Sequence, residues 1–155
     1  MSSDEIDWAA TYRASAYGYV DHAGEWTWFT LDGGAPSSLP CPTSVTLLTA
    51  WNPQSREMPR GWNDAANARL AQNLAAAGVR FTAAVGCSLP GVLPAWREEG
   101  FALHGVSVAE AIGWGRLCAQ RALVRLESHS AVLMFCADGQ MMPCGLHRLD
   151  PPPCG

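Results

Sequence analysis

Ser44-Val45-Thr46-Leu47-Leu48-Thr49-Ala50 runs straight into Trp51-Asn52-Pro53-Gln54-Ser55, and the fold is read from this stretch. The first part is uncharged and rich in Leu, Val and Thr, which suits a buried strand. Pro53 ends it and steers Asn52 toward extended geometry at the strand terminus. A polar loop continues to Gly61. Residues 62–77 are alanine-rich and free of proline, and Gly78 closes them as a C-terminal cap, so a helix is expected there. Its apolar stripe is Ala66, Leu70, Leu74 and Ala77, close to the helical period.

Beyond the helix, 79–85 reads as a strand and 86–94 as a loop. Residues 98–104 alternate, with Glu99, Phe101 and Leu103 on one face and Glu98 on the side of Trp96. Ser107-Val108-Ala109-Glu110 is a capping box that opens a second helix. Gly113 and Gly115 weaken that helix or let a neighbour pack closely. Residues 122–127 and 131–136 form a hairpin around Ser128-His129-Ser130. Upstream, 8–20 suits a short helix running into a strand, 25–31 an aromatic strand, and 32–42 a Gly- and Pro-rich loop. The stretch 137–155, ending in three prolines, reads as an irregular tail. The central order is strand, helix, strand, strand, helix, strand, then one more strand. That is the order of an α+β, ferredoxin-like split βαβ sandwich: a mostly antiparallel sheet, two main helices on one face, and extra N-terminal strands at the edge or over the other face.

The bulk numbers fit one domain spanning 1–155. The chain has 155 residues, 48 % hydrophobic and 15 % charged, enough for a core and too few charges for disorder. The net charge is −4 and the arginines are scattered, which argues against a nucleic-acid-associated role. The acidic, polar start is unlike a secretory signal, and no apolar run is long enough for a membrane span, so a cytoplasmic protein with no membrane partner is expected. Six cysteines in such a chain are expected as reduced thiols, with Cys87, Cys118 and Cys136 acting as small buried hydrophobes.

Leu48-Thr49-Ala50-Trp51-Asn52-Pro53-Gln54-Ser55, Asn63-x-x-x-Asn67-x-x-Leu70, Val85-Gly86, Trp96-x-Glu98-Glu99-x-Phe101 and Gln120-x-Ala122 occur in this order. Together they resemble a bacterial family, domain of unknown function three-two-nine-three, over a core of roughly 44–136. Family members often carry Ser where this chain has Gly100 and Asn where it has Arg121. The resemblance supplies a set of suspects and no mechanism.

Those suspects form the candidate ligand site: Trp51, Asn52, Ser55, Asn63, Asn67, Trp96, Glu98 and Glu99. Asn63 and Asn67 continue the helix stripe toward its N-terminus, near the end of strand 44–50. Strand ends and helix N-termini hold polar or anionic ligands, with Trp51 or Trp96 as a lid. The structural alternative is that Asn63 caps the helix and Asn67 ties the preceding loop to it. Glu98 and Glu99 point to opposite faces and cannot easily work as a pair. Glu98 is expected to be the more exposed, with Glu99 holding a loop or an arginine. No catalytic residue is assigned, because nucleophile and phosphate-loop motifs are missing, and catalysis is neither required nor excluded. Cys136, Cys144, His147 and Cys154 lack the paired spacing of structural zinc, so neither a metal nor a cofactor is expected. His104 is the only histidine to watch. The best reading is a domain that binds a polar or anionic small ligand at 51–55 and the start of helix 62–77. The competing reading is a protein-interaction or homodimerisation module using the aromatic strands with Trp26 and Trp28 as sheet edges.

Overall fold

The computed structural model describes residues 7–31, 39, 41–127 and 129–149. Helix α1 (Trp8–Arg13) opens on Asp7, whose side chain accepts from the Ala10 N–H. It leads into the hairpin β1 (Ser15–Val20) and β2 (Trp26–Thr30). Then come β3 (Val45–Leu48), α2 (Arg60–Ala76), β4 (Arg80–Ser88), β5 (Arg97–His104), α3 (Val108–Leu117), β6 (Ala122–Glu127) and β7 (Ser130–Phe135). The expected loop over 32–42 falls largely outside the described residues, as does Ser128 of the hairpin turn.

The expected irregular tail is corrected over 141–149: β8 (Met141–Cys144) and β9 (His147–Leu149) are strands, the first paired with β7 and the second with β2. Their pairing is tertiary, so a short, proline-containing sequence does not announce it. With them the sheet has nine strands, ordered β8-β7-β6-β3-β5-β4-β1-β2-β9, and every adjacent pair is antiparallel. β8 and β9 are its two edges, yet only Gly145 and Leu146 separate them in the chain. Three Cα–Cα steps span at most about 11 Å, so the sheet must curl until its edges meet at one corner. The aromatic strands β1 and β2 are therefore interior, not edges, because β9 covers β2. This corrects the edge-pairing expectation.

Alternation divides the core between the two faces of this curl. Tyr17, Tyr19, Phe29, Val45, Ala84, Ala102, Val124 and Leu133 gather inside, together with the buried linker residue Leu146. On the outer face, Leu48, Leu103, Leu123 and Met134 pack against Ala66, Leu70 and Leu74 of α2 and Ala111 of α3. The helix stripe is Asn63, Ala66, Leu70 and Leu74; Ala77, expected on it, is exposed at the C-terminus. Gly78 has φ +73°, and the N–H groups of Gly78 and Val79 close the helix on Ala75 and Leu74. Ser107 caps α3 by accepting from the Glu110 N–H. Gly115 lets α3 sit on Cys136, since a Cβ there would lie 2.7 Å from the sulfur.

Cys87 and Cys136 are buried and Cys118 is half-buried, much as small hydrophobes should be. No helix among the described residues is long and apolar enough to cross a membrane.

Candidate functional site

The Trp51-to-Ser55 turn is built against its local propensities. Asn52 adopts φ 46°, ψ 61°, which corrects the expectation of extended geometry. Gln54 and Ser55 also have positive φ, as does Ala119 opposite them. Such conformations persist only where neighbours over-determine them. Here the Asn52 N–H donates to Asn63 Oδ1 at 3.0 Å. Asn52 Oδ1 accepts from the Met58 N–H at 2.9 Å and from Asn63 Nδ2 at 3.0 Å. The Gln54 N–H donates to the Ala119 carbonyl at 2.7 Å. Arg121 donates to Ser55 Oγ and to the Gln54 carbonyl, and its guanidinium lies 4.1 Å from the Trp8 ring centroid. Gln120 donates to the Trp51 carbonyl. The turn is thereby fixed between α2 and the α3–β6 connection.

The remaining bond of Asn52 points at a carboxylate. Its Nδ2 donates to Glu98 Oε1 at 3.0 Å. Glu98 sits on the concave side of β5, half-buried, and among the described residues its other oxygen takes no hydrogen bond. Burial pushes the carboxyl above its ordinary value of 4.5, and the Asn52 bond offsets this only in part. Burial first, and the Glu98 charge second, push the Tyr12 phenol up to about 12. Glu98 lies in a cleft of about 600 Å³ lined by Trp8, Tyr12, Trp51, Asn52, Ser55, Arg60, Asn63, Trp96, Arg97, Glu98 and Gln120. A smaller inner chamber of about 90 Å³ continues into the curl, and Tyr12, Trp96, Glu98 and Gln120 line both spaces.

Glu99 is in a different place. Its side chain is 38 % exposed on the helix side and pairs with Arg97 at 3.0 Å and Arg60 at 3.5 Å. So the order of exposure is reversed from expectation, although Glu99 does hold arginines. The reason is the curl. It turns the Glu98 face into an interior, whereas α2 leaves the rim beside Glu99 open. Asn67 accepts from the Ala50 N–H at 2.9 Å and donates to the Glu99 carbonyl at 2.9 Å, tying β3 to β5. Asn67 and Glu99 line a separate outer groove.

Of the eight expected residues, six thus share the cleft and two do not. Asn63 is no cap either: α2 starts at Arg60 with Pro59 at the N-cap, and the Asn63 side chain bonds Asn52 and Met58. Trp51 is 7 % exposed beneath Arg60, so it is a wall and not a lid. Trp8 and Tyr12 were missed, since nothing in a short N-terminal helix places it over this end of the sheet. Gln120 was legible as part of a motif, but its partner was not.

The watched His104 has its ring 2.8 Å from Thr82 Oγ1. Thr82 donates its proton to the Val20 carbonyl, so the ring must donate to Thr82, and Thr82 is not an activated nucleophile. Cys144 and His147 fall on the two opposite edge strands, and Cys154 lies outside the described residues. No cluster of three or more metal-ligating side chains occurs among the described residues.

No curated protein and no solved structure matches the chain. A family model does match, over residues 48–123. That segment runs from the end of β3 to the start of β6 and contains the whole Trp51-to-Ser55 turn, Asn63, Trp96, Glu98 and Gln120. The segment that carries most of the cleft therefore belongs to the family described as protein of unknown function, DUF3293.

Proposed function

We propose that this domain binds a small polar ligand that presents an N–H or ammonium group to Glu98. One observation carries the reading: a half-buried carboxylate, oriented through one oxygen by Asn52 and open at the other, faces an aromatic-walled cleft. A carboxylate partly withdrawn from water gains from a further partner, and a donor or cation from a ligand would supply it at the free oxygen. The amides expected to recognise an anion are occupied by the protein itself, which favours a donor over an anionic ligand. A carboxyl held above its usual range would also suit proton transfer, should the ligand be a substrate.

We also infer that β3-α2-β4-β5-α3-β6 is a ferredoxin-like unit extended by β1, β2, β7, β8 and β9. The order β6-β3-β5-β4 and the sharing of one apolar cluster by both helices support this. A second reading, a protein-contact surface, is favoured by Trp26, which is 46 % exposed and stacked on Trp28 at 5.6 Å.

A thermal-shift series of small amines, amides and carboxylates against wild type and Glu98→Gln tests the ligand reading. Amines should raise the melting temperature of wild type and leave Glu98→Gln unmoved. Stabilisation by carboxylates alone, or equal amine shifts in both proteins, would overturn it.

A further inference from the structure

The inner chamber bears on what such a ligand must look like. Tyr17, Gly86 and Glu98 are cross-strand neighbours: Gly86 on β4 pairs with Tyr17 on β1 and with Glu98 on β5. All three face the inside of the curl and line the chamber. A glycine between two large side chains leaves a gap in that row. The fold does not demand glycine there. Gly86 has no positive φ, and a Cβ added to it would meet Trp96 and Tyr17 at 3.6 Å, an ordinary contact distance. Gly100 shows the contrasting case: its Cβ would lie 2.4 Å from the Leu48 carbonyl oxygen, so the backbone itself excludes a side chain. Gly86 is thus a vacancy beside Glu98. Apart from the neck it shares with the cleft, the chamber is mostly apolar, lined by Leu47, Ala84, Ala122 and Val124 among others.

We propose that the ligand is a primary amine carrying a short apolar group, with its ammonium on Glu98 and the apolar group in the chamber, and that Gly86 sets the size of group accepted. This rests on the reading that Glu98 takes a donor, and it adds what lies on the far side of that donor. The chamber is small, so a branched alkyl group of a few carbons suits it better than an extended chain. Tyr17 is held in place from behind, because its O–H donates to the Tyr12 carbonyl at 2.8 Å. The Tyr17 ring beside Gly86 is therefore fixed, and a side chain at residue 86 would narrow the chamber between it and Trp96.

The experiment is calorimetric titration of wild type, Gly86→Ala and Glu98→Gln with methylamine, propylamine and isobutylamine hydrochlorides. Wild type should bind isobutylamine roughly tenfold or more tightly than methylamine, as expected for burying several methyl or methylene groups. Gly86→Ala should lose most of that preference, because the added methyl takes up part of the chamber beside Glu98. Glu98→Gln should bind none of them. If wild type shows no preference along the series while Glu98→Gln abolishes binding, the donor reading survives and the chamber inference fails. If Gly86→Ala is folded and keeps the wild-type preference, Gly86 does not set the size. If wild type binds no amine, both fail. The wild-type series decides the chamber's role even should Gly86→Ala not fold.

Discussion

Replacing Asn67 with alanine removes two hydrogen bonds that join β3 to β5 through α2. The Ala50 N–H loses its side-chain acceptor at 2.9 Å. Ala50 is only 8 % exposed, so water reaches that N–H poorly and the orphaned donor costs about 1–3 kcal/mol. The Glu99 carbonyl loses its Asn67 donor but keeps Thr49 Oγ1 at 2.6 Å, so this second loss adds only about 0.5–1 kcal/mol. The sum is about 1.5–4 kcal/mol, or a fall in melting temperature of about 3–16 °C for a domain of this size. Urea unfolding of wild type and Asn67→Ala, compared at equal m-value, measures it. Asn67 lines the outer groove and not the Glu98 cleft, so amine-induced stabilisation should survive in the variant. A loss below about 1 kcal/mol, or loss of amine binding without loss of stability, would refute the assignment of Asn67 to the scaffold.

Leu74→Ala should cost about 2–5 kcal/mol, because Leu74 is fully buried against the outer face of the sheet, whereas Ala77→Ser should stay within about 0.5 kcal/mol. Denaturant melts of the two variants decide whether the stripe ends at Leu74. Gly100→Ala should destabilise by about 1–3 kcal/mol or more through its clash with the Leu48 carbonyl, and Gly86→Ala by distinctly less. The Glu98 carboxyl is raised above 4.5 by burial, so its contribution to stability is full below that value and is lost as pH rises through the folded-state pKa. Arg60 and Arg97 do not offset this, since both engage Glu99. Urea melts from about pH 4 to about pH 7 should therefore show Glu98→Gln gaining stability relative to wild type as pH rises. A constant difference across that range would mean that Glu98 is solvated.

What could be read from the sequence was what local chemistry controls. The uncharged run at 44–50, the spacing of Ala66, Leu70 and Leu74, the glycine at 78 and the capping box at Ser107 each act within a few residues, and each element formed near its expected place. The proline rule at Asn52 failed for a tertiary reason. Bonds to Asn63, Met58 and Glu98 hold the residue in a left-handed conformation that Asn tolerates better than most residues. The strands at 141–149 form by pairing with partners far along the chain, and their own residues do not announce it. Alternation separated Glu98 from Glu99 correctly, but it could not say which face was interior. That depends on the sheet curling far enough to bring its two edges together. For the same reason the amides divided: Asn52 and Asn63 reach the cleft, while Asn67, one turn further along α2, reaches only backbone.

Titration of the Glu98 side-chain carboxyl by carbon-13 NMR, alone and with saturating isobutylamine, decides whether Glu98 takes a cationic partner. The midpoint should lie above 4.5 in the free protein, from burial, and lower with the amine bound, because an ammonium favours the carboxylate. A free-protein midpoint at or below 4.5, unchanged by the amine, would contradict a cationic partner at Glu98.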